Sequence, residues 1–239
     1  MNHSHQQKGF VLVTALIFLI VLSSLGVMAL RGSLFEERMS ANDRDRALAR
    51  EYAEMALRDA ERDVLGLRFD GQLCALVACN PLRPDGTRPK TTSEAANFWN
   101  TDTATNPEVA FADGGRGQTT PFQGVFTYNA STECGQPVWT GADWLDNAAP
   151  ARACAGTIAA AVPTVAYGQF TEAPFVGPDG NAPQGVTPPR YLIEVFPAPS
   201  LLQSKSQKVF FRITAVGFGR TSGPNGRTSV TLQSIFSPA

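Results

Sequence analysis

Histidine is nearly absent from this 239-residue chain: there are two, His3 and His5, and none follows them. From residue 6 onward the chain therefore has no Ser-His-Asp or Cys-His pairing, no H-E-x-x-H helix and no histidine-ligated zinc. An excess of either charge is missing too, because 20 basic residues stand against 21 acidic ones and the basic residues are scattered. No specific nucleic-acid partner is predicted from that balance. Paired C-x-x-C motifs are also lacking. Cys74, Cys79, Cys134 and Cys154 are separated by 4, 54 and 19 residues, which fits neither a zinc knuckle nor a redox dithiol. Gly217-Phe-Gly219 lies in a strand-like stretch without the third glycine and following helix of a phosphate loop.

The acidic residues offer little to replace these. Asp143 and Asp146 flank Trp144, a pattern that reads as a turn with solvated acids around an aromatic anchor sooner than as paired catalytic carboxylates. Asp113-Gly-Gly and Pro178-Asp-Gly-Asn are turn signals, and neither fits a twelve-residue calcium loop. The expectation is a protein that is not an enzyme, with no catalytic residue, no metal and no cofactor. There is no internal repeat or long low-complexity tract.

What the chain does have is concentrated at its start. Phe10 to Leu30 runs 21 residues without a charge, and at about 1.5 Å per residue such a helix crosses the roughly 30 Å core of a bilayer. A cleaved secretory signal is the alternative, since Val27-Met28-Ala29 is an acceptable small-residue site, but the run exceeds the usual apolar length of about 7 to 15 residues. Lys8 precedes the run and Arg31 follows it, so charge orients the segment only weakly.

Arg31 to Leu65 contains no proline and continues as helix. Ala49, Tyr52, Ala53, Ala56, Ala60 and Val64 repeat at spacings of three and four and share a face. Arg50, Glu51, Glu54, Arg58, Glu61 and Arg62 take the opposite one, with a Glu54–Arg58 ion pair expected. Gly32 and the polar stretch 40–45 are places where the helix is expected to bend. Unbroken from residue 10 to 65 it would measure about 84 Å, its first half in lipid and its second half needing a domain to cover it.

That domain is expected at 66–239, with a loop-rich insertion at about 67–189. The clearest strands are Tyr191 to Phe196, Val209 to Phe218 and Thr228 to Phe236, with a turn at Ser222–Gly226. They imply a three- or four-stranded antiparallel sheet packed on the amphipathic half-helix, an α+β arrangement. Within the insertion, short strands are expected at Gly124–Tyr128 and Thr164–Phe170, and Phe98, Trp99, Trp139 and Trp144 require burial. An even cysteine count downstream of an export-type segment favours disulfides. Of three possible connectivities, Cys74 with Cys79 and Cys134 with Cys154 close short loops and are expected; four free buried thiols are the alternative.

The leader MNHSHQQKG followed by Phe10 and the apolar run resembles the class III signal of type IV pilins and pseudopilins. The stretch GFVLVTALIFLIVLSSLGVMALRGSLFEERMSANDRDRALAREYAEMALRDAE, Gly9 to Glu61, is similar to the N-terminus of PilX-type minor pilins. FRITAVGFGR with TLQSIF, from Phe211 to Phe236, is similar to their end, and the two stretches make up about a third of the chain. The resemblance implies a pilin-like fold, a leader at 1–9 with Lys8 beside the cut, cleavage by prepilin peptidase after Gly9, and methylation of Phe10. It departs from the common pattern at Thr14, the fifth mature position, where most pilins carry a glutamate that meets the protonated N-terminus of a neighbour. A carboxylate in lipid is costly unless paired, so its absence fits a subunit with no neighbour ahead of it. The tip pseudopilin of type II secretion systems shares that absence, and such a pseudopilin is the nearest alternative.

The implied function is that of a minor pilin in the complex that primes a type IV pilus and sits at its tip. The implied location is the bacterial inner membrane, single-pass with the domain in the periplasm, and then the pilus. Implied partners are other minor pilins, the major pilin, the inner-membrane assembly platform and a large tip adhesin. An alternative of another class is a membrane-anchored periplasmic binding module or hydrolase, with its pocket in the middle region.

Overall fold

The computed structural model describes residues 8–74, 89, 123–127, 138–145, 153–154, 157–158, 164–177, 180–196, 210–223 and 226–237. The chain divides into two compact units, Met1–Asp45 and Arg46–Ala239.

The proline-free stretch forms a single helix, α1, Lys8–Leu65, with no break at Gly32 or within 40–45. In the first unit its apolar side chains are exposed, from Phe10 at 74% to Leu30 at 68%. The most apolar window has a mean hydropathy of 2.8 and none of it is buried. In the second unit Ala49, Ala53, Ala56, Ala60 and Val64 are completely buried, while Arg50, Glu51, Glu54 and Arg58 stay exposed. Glu54 pairs with Arg50 at 3.1 Å and Arg58 with Glu61 at 3.1 Å, so the expected Glu54–Arg58 pair is replaced by its neighbours one turn to either side. The helix ends at Gly66, whose φ of 71° suits a residue without Cβ. Its N–H donates to Asp63 O and that of Leu67 to Arg62 O, two bonds that close the last turn as a Schellman cap.

The remaining elements are β1 Val125–Thr127, a 3-10 turn Val138–Gly141, β2 Ala153–Cys154, β3 Thr157–Ile158, β4 Val165–Ala166, β5 Arg190–Phe196, β6 Phe210–Gly223 and β7 Gly226–Phe236. The main sheet runs β1-β5-β6-β7, and β4 also pairs with β5. β5, β6 and β7 form the expected antiparallel ladder, with Ile193 opposite Ile213 and Ala215 opposite Leu232. Two features differ from expectation. Among the described residues the sheet has five strands and is mixed, because β1 joins parallel to β5 beyond the point where β4 leaves it. The expected strand Thr164–Phe170 is only two residues long, because the chain turns at 167–171 to meet the helix. A second, two-stranded sheet pairs β2 with β3.

Alternation sets two layers against the sheet. Tyr191, Ile193, Val195, Phe211, Ile213 and Ala215 face α1 and form the main core with Ala56, Ala60 and Val64. Leu192 points the other way and joins Phe126, Val138 and Ala142, over which Trp139 and Trp144 pack. β5 is therefore buried on both faces, and each large side chain enclosed this way contributes about 1.5 to 3 kcal/mol. The alanine row lets helix and sheet approach closely. At Gly217 in β6 an added Cβ would lie 2.0 Å from Ala49 O and 2.4 Å from Ala53 N, so strand backbone rests directly on helix backbone.

Candidate functional site

A side chain that is polar and surrounded by lipid must satisfy itself, since no water is there to do so. Thr14 meets that condition within its own helix: its hydroxyl lies 2.8 Å from Phe10 O and 3.0 Å from Val11 O, to which it donates. Ser23 likewise donates to Leu19 O at 2.8 Å. Neither requires a partner from another molecule. Lys8 and Gly9 open the helix as backbone.

The anchoring half of the helix carries polar groups that the periodicity argument missed. Asp59 and Asp63 lie one turn apart and are fully buried in the face that packs on the sheet. Asp59 accepts from the Gly168 amide at 2.7 Å and from the Thr171 hydroxyl, which fixes the turn after β4 to the helix. Asp63 accepts from the Tyr191 hydroxyl at 2.9 Å, joining the helix to β5. Burial pushes the Asp59 carboxyl up to about 6, against the opposing pull of Thr171 and Gly168, and the nearby Asp63 adds to the rise. Burial and the Asp59 charge also raise the Tyr167 hydroxyl. The signal was present in the sequence, because Asp59 and Asp63 interrupt the Ala56, Ala60, Val64 stripe at its own spacing.

A second polar anchor lies on the far side of β5. Glu194 is completely buried and receives Arg212 Nε at 2.7 Å and Nη2 at 2.6 Å, a two-pronged pair between residues directly opposite in the ladder. The hydrogen bonds to Glu194 hold the Arg212 guanidinium above its ordinary range, and its partial burial opposes them. Arg190, also buried, donates to Thr164 Oγ1 at 2.6 Å and Thr164 O at 3.0 Å, and the Thr164 hydroxyl donates to Asp143 O at 2.8 Å. Side chains thus hold irregular segments that have few ladder bonds of their own.

The chain does turn at 144–145, but Asp143 is buried in this web, which corrects the expected solvation, and Asp146 lies outside the described residues. Gly217 and Gly219 sit inside β6, where close contact with the helix accounts for Gly217. Among the described residues no group of three or more His, Cys, Asp or Glu could hold a metal. Cys74 is disulfide-bonded, and its amide donates to Gly66 O at 3.0 Å beside the Leu67–Leu73 bridge. Cys79 and Cys134 lie outside the described residues, and Cys154 stands opposite Thr157 in the small sheet.

An exposed apolar helix, continuing into an alanine-faced half that packs on a mostly antiparallel sheet, defines a pilin-like α+β protein. Residues 8–58 match the family described as PilX N-terminal, and residues 79–238 the one described as Type IV pilus assembly protein PilX C-term. The chain belongs to the PilX family of type IV pilus assembly proteins. The match also extends through the middle of the chain, where the residues alone showed no likeness. No curated protein and no solved structure matches the chain.

Proposed function

We propose that this chain is a non-catalytic minor pilin of the complex that primes a type IV pilus and occupies its tip. In this reading prepilin peptidase removes residues 1–9 after Gly9, beside Lys8, and Phe10 becomes the methylated N-terminus. The apolar half-helix holds the subunit in the inner membrane with its domain in the periplasm, and then packs laterally against the helices of other minor pilins and the major pilin. Shape and packing do the work, with the assembly platform and a large tip adhesin as further partners. The disulfides Cys74–Cys79 and Cys134–Cys154 belong to the same reading, as staples of the middle region.

The observation that carries the tip position is Thr14. Its hydroxyl is satisfied by Phe10 O and Val11 O, so Thr14 itself needs no partner in lipid. It also offers no carboxylate to the amine of a preceding subunit. Gold labelling of an epitope-tagged chain on purified filaments tests this. Label confined to filament ends is expected, and label spread along the shaft would contradict a tip subunit. Replacing Thr14 by Glu should shift part of the label into the shaft.

A further inference from the structure

The helix does not become uniformly polar where its apolar run ends. Arg31, Leu34, Phe35 and Arg38, at steps of three, four and seven residues from the first, share one face and line a shallow concavity. Leu34 and Phe35 are 57% and 65% exposed. Glu36 and Glu37 fall on the opposite side of the helix by the same spacing rule. The described ion pairs engage Arg50, Arg58, Arg68 and Arg212 but neither Arg31 nor Arg38. Two guanidiniums thus straddle an exposed apolar pair, with the carboxylates turned away.

We propose that this stripe binds an anionic phospholipid in the leaflet on the domain's side, with Arg31 and Arg38 holding its phosphodiester and Leu34 and Phe35 among the headgroups, reaching back toward the acyl boundary. The inference rests on the reading of residues 10–30 as a membrane span. If that span ends at Leu30, a rise of about 1.5 Å per residue puts Leu34 and Phe35 about 6 to 8 Å beyond the hydrocarbon edge, within the headgroup layer. Helical side chains lean toward the N-terminus, which here is toward the bilayer. Arg38 therefore reaches back over Leu34 to the phosphate level, and Arg31 at the hydrocarbon edge extends outward to the same level. The planar fork of each guanidinium matches a phosphate oxygen pair, which favours the phosphodiester over a neutral headgroup surface.

The test is reconstitution of the full chain into nanodiscs of mixed phosphatidylcholine and phosphatidylglycerol. Native mass spectrometry then reads the ratio of phosphatidylglycerol to phosphatidylcholine carried by the protein, and vesicle flotation reads insertion separately. The wild-type chain should float and carry an excess of phosphatidylglycerol, and Arg31→Gln with Arg38→Gln should float equally while that excess falls about fivefold for each arginine. Arg44→Gln with Arg46→Gln removes the same charge further along the helix and should leave the ratio unchanged. Equal loss in both double variants would reduce the effect to bulk charge and overturn the site. A wild-type chain that floats without lipid preference would overturn it while leaving the membrane reading intact. A chain that fails to float would overturn both.

Discussion

The two halves of α1 share one backbone conformation and differ in what their side chains meet. Between Phe10 and Leu30 the large apolar residues face outward on every side and none is buried. Between Ala49 and Val64 the buried face is built from four alanines and a valine, the charged residues occupy the other face, and two carboxylates are enclosed. Helices hydrophobic all round belong in lipid or among other helices, whereas a single apolar stripe belongs against the core of a domain. The first half thus fits a membrane anchor, because the surface it offers is apolar on every side. The second half is suited to a fixed seat, with backbone contact at Gly217 and hydrogen bonds from Asp59 and Asp63.

The sharpest way to break this comparison is to make the same substitution in β6, where it meets the second half, and within the first half itself. Gly217→Ala puts a Cβ 2.0 Å from Ala49 O, against backbone that cannot yield, and should cost about 3 kcal/mol, at the upper end of overpacking effects. Gly26→Ala meets nothing within 4 Å and should leave the domain's urea midpoint unchanged. Equal effects at the two positions would mean that the helix does not rest on β6 as described.

The enclosed carboxylate gives the next largest effect. With Asp59 raised from 3.8 to about 6, the folded chain holds a proton between those pH values that the unfolded chain has released. Unfolding then sheds a proton, so stability falls as pH rises through about 4 to 6 and is level above that window. The total is up to about 3 kcal/mol, from roughly 1.4 kcal/mol per pKa unit. Urea titrations across this range should show the slope in the wild-type chain and lose it in Asp59→Asn. Parallel curves for the two proteins would remove Asp59 as its source.

A smaller contrast comes from filling space. Ala56→Leu adds volume to a completely buried site and should cost about 1 to 3 kcal/mol. Ala15→Leu, on the exposed half, should leave domain stability unchanged and keep the chain in the membrane fraction. The smallest effect belongs to the solvated face, where Arg50→Ala removes an exposed i,i+4 pair and should change stability by less than about 0.5 kcal/mol.

Much of this comparison was legible in the sequence, and the reason is periodicity. An unbroken apolar run and a three-four repeat of alanines are one-dimensional signals, as is the alternation that located β5, β6 and β7. The parallel joining of β1 to β5 was not legible, because three residues carry too little pattern and their partner lies more than sixty positions away. Nor was the length of β4, which ends where Gly168 turns to donate to Asp59 over 109 positions of sequence separation. Polar anchoring escapes pattern reading in general, because an enclosed acid looks like a surface acid until its donors are known. Asp59 and Asp63 were the exception that could have been caught, since they occupy the helix face that the alanines had already marked. Asp143 could not have been, since a flanking tryptophan and a second acid imitate a solvated turn.

The central claim is that the first half of α1 is a processed pilin N-terminus, and the mass of the N-terminal peptide tests it most directly. From cells containing prepilin peptidase, the account predicts a peptide that begins at Phe10 and carries one added methyl group, and from cells without the peptidase one that retains residues 1–9. An intact N-terminus in both strains, or a new one after Ala29, would contradict it.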